Sequence, residues 1–245
     1  VPWNSQLFLS AIKIGPALAA GNTVVLKASE HASAAMLEFG KLIDQAGIPP
    51  GVVNIVTGYG DPCGRALTSH PLISKSACTG GPIAAQQVIH NSAKNFAGLT
   101  LELGGKSPVI VFDDVDIDSA VNGALGAIFG ATGQSCVAGS RLYLQQTIAD
   151  AFLEKMVKKA KQIVVGNPMD EKTQMGPLCT QGQLDHVIRE VAYAETEGGV
   201  ILCGGKQPED CYGQYFEPTI IDCPSQDMRI VDTELFGPVL SVLRF

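Results

Sequence analysis

The sequence has seven cysteines, at 63, 78, 136, 179, 203, 211 and 223, and not one C-x-x-C pair among them. An odd number without that spacing argues against a disulfide framework and against a zinc site. It predicts reduced thiols in a cytoplasmic or similar compartment, most of them small packing residues. Basic residues are scarce: 17 Lys and Arg stand against 24 Asp and Glu, for a formal net charge of −7, and their one local concentration is the short KMVKKAKQ stretch. That balance excludes a nucleic-acid surface and points to a small-molecule partner. Apolar runs such as Val24 to Leu26 and Val109 to Phe112 are too short to span a bilayer, so no membrane partner is expected, and no charged-then-apolar leader opens the chain. Internal repeats and low-complexity segments are missing too. So is the G-x-G-x-x-G fingerprint of ordinary dinucleotide folds, because GYGDPCG at 58 to 64 carries one residue too many before its last glycine.

What is present is a globular chain of 245 residues, 46% of them hydrophobic, long enough for one large domain or two modest ones. Residues 9 to 20 read as a helix, Gly21-Asn22 as a turn and TVVLK as a strand. Ser29, Glu30 and Ser33 offer N-cap chemistry for a helix over AAMLEFGKLIDQAG, which Gly47 and Pro49-Pro50 stop. GVVNIVTG, ISKSACTGG and LTLEL follow as strands, with a small helix after Asp61-Pro62 and another from Ala84 to His90. Beyond LELGGKSP the rhythm restarts: PVIVFDD as a strand, Ile117 to Gly130 as a helix, SRLYLQQ as a strand and Ala149 to Ile163 as an amphipathic helix.

Strands alternating with helices predict an α/β fold with a parallel sheet and right-handed crossovers. Ligands in such sheets bind beyond the carboxyl ends of the strands, which puts Lys27, Gly58 to Gly60 and Thr79 to Gly81 on one rim. Gly104-Gly105 is the natural hinge, giving an expected boundary between residues 1–103 and 104–245. The chain opens on Val1 and closes on the strand-like PVLSVLRF, so an internal segment with an unpartnered sheet edge is expected.

Three side chains carry candidate chemistry, each with a plainer alternative. Cys136 sits among small neighbours in GATGQSCVAGSR, either as a buried packing residue or as a nucleophile that a substrate carbon can approach. Glu102, in T-L-E-L, is either a solvated edge residue or a general base. Asn4, in P-W-N before the first helix, is either that helix's N-cap or an oxyanion donor.

Taken together the motifs PWN (2 to 4), LKASE (26 to 30), LELGGKSP (101 to 108), GQSCVAGSR (133 to 141) and ELFGPV (234 to 239) resemble the NAD(P)-dependent aldehyde dehydrogenase superfamily. They occur in family order across essentially the whole chain, with Glu102 and Cys136 34 residues apart. The resemblance implies a Rossmann-like parallel-sheet cofactor domain followed by a second α/β catalytic domain. It implies Cys136 as nucleophile, the Asn4 amide as oxyanion donor, Glu102 as the base that activates water, and Lys13 in the proton traffic, where a helix-surface charge is its plainer reading. For the cofactor it implies Lys27 and Glu30 at the adenosine ribose and Gly60 near the adenine. Trp3, Gly80 and Gly81 fall at the pyrophosphate, and Glu234 and Phe236, with Leu103, at the nicotinamide end. A carboxylate at Glu30 favours NAD over NADP. An aldehyde substrate and assembly into a homodimer or homotetramer complete the expectation. The alternatives are a variant that passes the acyl group to coenzyme A, which the intact LELGG argues against, and a non-catalytic relative retaining only the fold and nucleotide binding. At Gly81 the chain departs from the serine usual in the family, leaving only backbone N–H donors there. The family's chains are also considerably longer than this one.

Overall fold

The computed structural model describes residues 1–245, which divide into two compact units, Val1–Gly104 and Gly105–Phe245. The first unit begins with α1 (Gln6–Ala19), followed by β1 (Val24–Lys27), α2 (Ser33–Gln45) and β2 (Val53–Val56). A turn at Gly60–Gly64 and the short α3 (Arg65–Thr68) lead to β3 (Lys75–Thr79), α4 (Pro82–Ser92) and β4 (Gly98–Glu102). β1 pairs in parallel with β2, and β3 with β4, each pair joined by its own crossover helix. The expected parallel pairing is present, divided into two two-stranded ladders. Strand neighbours are fixed by long-range hydrogen bonds, which the local rhythm of helix and strand does not specify.

The first unit's core is small: Ile14, Leu26, Ala28 and Met36, backed by Phe39, Ile43, Val53 and Ile55. The face of α1 bearing Leu7, Phe8 and Ile12 is exposed. Local capping also differs from expectation. The N-cap of α1 is Ser5, in the left-handed region at φ 47°, so Asn4 is not the cap. At α2 the cap is Ala32 with no side-chain bond; Ser33 instead donates back to the carbonyl of Ser29 at 2.8 Å.

The second unit contains β5 (Pro108–Val111), α5 (Ile117–Phe129), β6 (Arg141–Leu144) and α6 (Ala149–Ala160). It continues with α7 (Gln181–Thr196), β7 (Val200–Cys203), β8 (Thr219–Asp222), α8 (Arg229–Asp232) and β9 (Val239–Arg244). Its five strands lie in the order β5-β6-β9-β8-β7, all neighbours parallel except β7 against β8. Alternation along β9 serves both faces: Leu240 and Val242 join the cluster of Ile128, Phe152 and Met156, while Val239 and Leu243 join that of Leu184, Val187 and Phe216. A strand buried on both sides reads as a continuous apolar run, which is why PVLSVLRF is legible as one. α7 offers the helical stripe Leu184, Val187, Val191 and Ala194 to the same core. No helix in the chain is long and apolar enough to cross a membrane.

Candidate functional site

In the first unit the strand ends gather the candidate residues as two groups. At the end of β1, Lys27 donates to the carbonyl of Ala28 at 2.9 Å and lies 3.5 Å from the Glu30 carboxylate. A hydrogen bond from the backbone of Glu30 itself, with Lys27 adding, holds that carboxyl below its usual range against a smaller opposing effect of burial. Gly58 has φ +152°, and a Cβ there would fall 2.7 Å from the Cβ of Cys63, so this turn admits only glycine. Two residues on, Gly60 faces open space, with no atom within 4 Å of where a Cβ would stand.

The second group lies at the ends of β3 and β4. Thr79 and Glu102 are register partners, and the N–H of Gly80 donates to the Glu102 carbonyl at 3.1 Å. Lys13 reaches across from α1 to donate to the Thr79 hydroxyl at 2.8 Å. It is half-buried, so it is not a solvated helix-surface charge. The Glu102 side chain is exposed at the strand end. Gly81 is the N-cap of α4, extended at φ −76° and ψ 166°, and open above its Cβ position. The first turn of α4 therefore presents unobstructed N–H groups with the positive end of the helix dipole. Trp3 and Asn4 are half-buried in the approach to α1, and Leu103 is exposed just past β4.

In the second unit Cys136 is half-buried in the loop between α5 and β6, outside both core clusters, beside an exposed Val137. The contrast is with Cys203 and Cys223, which are core residues whose thiols burial pushes up, Cys223 to about 11. The Cys136 loop is held by a run of three left-handed residues, Ala131 (φ 51°), Thr132 (φ 59°) and Gly133 (φ 70°). For the two with side chains this conformation costs roughly 1–2 kcal/mol each. Two buried side chains offset it. Thr132 donates to the Gly176 carbonyl at 3.1 Å, and Gln134 accepts from Cys179 N–H at 2.8 Å while its amide donates to Ala131 and Pro177 carbonyls at 3.3 and 3.4 Å. Gly139, just after the loop, sits where a Cβ would fall 2.5 Å from Val109, locking the loop onto β5.

Glu234 and Phe236 lie between α8 and β9, with Phe236 left-handed at φ 52°. Glu234 accepts from the Gly105 N–H at 3.2 Å, and burial raises its pKa against that bond and the opposing charge of Lys106. The side-chain amide of Gln183, on the first turn of α7, donates to the Leu235 and Phe236 carbonyls.

The residues missed by sequence reasoning are the supports: Gln134, Thr132, Gln183 and Lys106. Only Gln183 had a local signal, the capping-box spacing Thr180-x-x-Gln183, and the Thr180 hydroxyl does accept from Gln183 N–H at 3.2 Å.

Comparison with known proteins adds the following. The model of the aldehyde dehydrogenase family matches residues 1–245. The chain is 55% identical, over 246 aligned positions, to the (Z)-2-((N-methylformamido)methylene)-5-hydroxybutyrolactone dehydrogenase of Acinetobacter baylyi, covering 100% of this chain and 50% of that one. It is 46% identical over 245 residues to the chloroplastic betaine aldehyde dehydrogenase of Beta vulgaris, covering 100% and 49%. Among solved structures, the NAD+ complex of an aldehyde dehydrogenase from Bacillus cereus superposes with a TM-score of 0.96 at 38% identity, covering 100% of this chain and 50% of that one. The chain thus spans about half the length of the curated relatives it matches.

Proposed function

Since the chain belongs to the aldehyde dehydrogenase family, we propose that it carries the nucleophile, base and cofactor rim of an enzyme that oxidises an aldehyde to a carboxylic acid. The observation that carries this reading is the state of Cys136: a half-buried thiol, outside the core, on a loop fixed by strained backbone and buried hydrogen bonds. A packing cysteine needs no such support.

In this reading the Cys136 thiol gives up its proton to solvent as its sulfur attacks the aldehyde carbon, and the oxyanion that develops is met by the Asn4 amide and the backbone N–H of Cys136. NAD, when bound, accepts the hydride that converts the adduct to a thioester. Glu102 then takes a proton from water, which attacks the thioester carbon and releases the acid and the thiol. Exposure of Glu102 suits it to exchange that proton with solvent. Lys13 is assigned to the same proton traffic, a reading supported by its bond to Thr79 beside the strand that ends in Glu102.

The first unit's rim fits a dinucleotide. The open Gly60 position leaves room that a side chain would fill, and the first turn of α4, behind Gly81, offers N–H groups to a pyrophosphate. Trp3, Gly80 and Gly81 are assigned to the pyrophosphate, Lys27 and Glu30 to the adenosine ribose, Gly60 to the adenine side, and Glu234, Phe236 and Leu103 to the nicotinamide end. Lys27 is already paired with Glu30, so a 2′-phosphate would meet an ionised carboxylate; this supports NAD over NADP. Residues 1–103 are accordingly read as the cofactor domain and 104–245 as the catalytic domain. The seven free cysteines support a reducing, cytoplasmic setting. Assembly into a homo-oligomer is carried over from the family and is checked by light scattering.

The test is aldehyde-dependent NADH formation by the full-length protein beside Cys136→Ala and Glu102→Gln. The expected result is no turnover with the first and, with the second, a burst of NADH followed by slow hydrolysis. Steady turnover by Cys136→Ala would remove the thiol from the mechanism.

A further inference from the structure

Besides its apolar stripe, α7 buries a carboxylate: the Glu190 side chain is 1% exposed. Its one hydrogen bond comes from the Arg229 guanidinium, at 2.7 Å to Oε1, while Oε2 is buried without one. Arg189 Nε and His186 Nδ1 stand 3.5 and 3.6 Å from the same oxygen, but both lie on α7 itself, and Arg189 donates to His186 at 2.9 Å. Arg229, the first residue of α8, is the partner from elsewhere in the chain. α7 grips it at three levels. Its guanidinium meets Glu190 and lies 5.2 Å from the centre of the Tyr193 ring, and its backbone N–H donates to the Glu197 carboxylate at 3.1 Å. Its carbonyl accepts from the N–H of Thr233 at 2.8 Å, and Glu234 follows directly. Two turns before Glu190, Gln183 holds the carbonyls of Leu235 and Phe236. Gln183, Glu190 and Glu197 share one face of the helix, so the segment from Arg229 to Phe236 is laid along about 21 Å of it.

Packing alone does not set that alignment. Ile230 and Val231 of α8 are buried in the same cluster as the α7 stripe, and apolar contact is non-directional, so it holds α8 down without fixing its place along the helix. Stability does not explain the ion pair either, since replacing both partners of a buried pair by apolar residues is often neutral or stabilising. What Arg229 and Glu190 add is direction. We propose that Glu190 is a positioning residue for the nicotinamide end of the cofactor site: by its bond to Arg229 it fixes the register of the Glu234–Phe236 segment along α7. The inference rests on the reading of Glu234 and Phe236 as that end of the site. Loss of the pair should therefore weaken the hold on the nicotinamide half of the dinucleotide and spare the adenosine half.

The experiment uses the full-length protein and two readouts. Binding of NAD, and of ADP, which lacks the nicotinamide ribose, is measured by calorimetry for the wild type, Glu190→Leu, Glu190→Gln, Arg229→Met, Glu234→Gln and the double variant Glu190→Leu/Arg229→Met. Independently of any nucleotide, amide hydrogen exchange at residues 233 to 236 is followed by mass spectrometry, with urea unfolding as the measure of stability. Glu190→Leu and Arg229→Met are each expected to weaken NAD binding about tenfold and ADP binding by less than about twofold. Glu190→Gln keeps an oxygen for Arg229 and is expected to retain most of the affinity. The double variant leaves no buried charge unpaired, so its unfolding midpoint should return toward that of the wild type, while the NAD loss and about tenfold faster exchange at residues 233 to 236 persist. NAD affinity that returns together with stability, equal losses for NAD and ADP, or unchanged exchange in the double variant would overturn the positioning role. Glu234→Gln binding NAD as tightly as the wild type sinks the nicotinamide reading instead, and the exchange still decides the tie to Arg229 by itself.

Discussion

Replacing Gly133 with alanine strikes the Cys136 loop where its geometry leaves least freedom. Gly133 is left-handed at φ +70°, and an added Cβ would stand 2.1 Å from the carbonyl oxygen of Gly237, 2.4 Å from its carbon and 3.0 Å from the nitrogen of Pro238. Real Cβ contacts essentially never fall below 3.0 Å, and all three neighbours are backbone, so no rotamer change relieves the overlap. One of the two chains must retreat by about 1 Å. Overpacking of that kind costs about 1–3 kcal/mol, and a left-handed alanine adds roughly 1–2 kcal/mol. The retreat displaces either the segment leading to Cys136 or the segment following Phe236. A misplacement of about 1 Å lowers turnover about 100-fold. The assays are aldehyde-dependent NADH formation and urea unfolding, with Gly123→Ala on α5 as the control because no atom stands within 4 Å of its Cβ. Gly133→Ala with kcat/KM within about twofold of the wild type and an unchanged unfolding midpoint would refute the packing argument.

Gly81→Ser restores a hydroxyl at the N-cap of α4, in a backbone geometry serine adopts freely and in open space. It is expected to stabilise the fold by a few tenths of a kcal/mol and to tighten NAD binding; weaker binding by calorimetry would count against a pyrophosphate at that turn. Lys106 makes stability depend on pH. Its pKa is about 8 in the fold against 10.5 ordinarily, so between those values the unfolded chain binds more protons and stability rises with pH. Below about pH 8 the whole penalty, about 3 kcal/mol, is present. Denaturant unfolding near pH 7 and near pH 10, with Lys106→Met as the reference, should show the wild type gaining on the variant at the higher pH; parallel curves would mean the ammonium is solvated.

The elements most legible in the sequence are those bracketed by their own punctuation. Gly21-Asn22 before TVVLK, Gly47 with the Pro pair after α2, and the Gly-Gly of β3 and β4 mark boundaries that need no tertiary information. Between about residues 164 and 233 the sequence carries no local signal of an element beyond the Thr180-x-x-Gln183 spacing, although α7, β7, β8 and α8 all lie there. α7 mixes its apolar stripe with many charges, and β7 and β8 are four residues each, too short for a period to stand out. The support residues were hidden for a different reason. Gln134 looks like a loop amide until Pro177 and Cys179 are placed beside it from 43 and 45 residues away. Lys106 looks like the solvated end of a glycine turn until the fold buries its amine. Burial of a polar group belongs to the fold, and a motif read along one dimension does not contain it.

These supports share an anchor, and the anchor explains why the Cys136 loop tolerates its strain. Gln134 binds Cys179, immediately before Thr180, the N-cap of α7; Thr132 binds Gly176 in the same approach. On the other side Gln183, in the first turn of α7, binds the carbonyls of Leu235 and Phe236, and the carbonyl of Gly237 closes against Gly133. The start of α7 therefore fixes the Cys136 loop and the Glu234–Phe236 segment at once, and Gly133 seals one against the other. A loop held only by its own turns could relax Ala131 and Thr132 out of the left-handed region and recover roughly 1–2 kcal/mol for each. Here relaxation would also break the bonds to Gly176, Pro177 and Cys179, stranding buried polar groups at about 1–3 kcal/mol apiece. The strained turn is the lower-energy choice, so the thiol's position relative to Glu234 and Phe236 is set inside the second unit and does not depend on a ligand to order it.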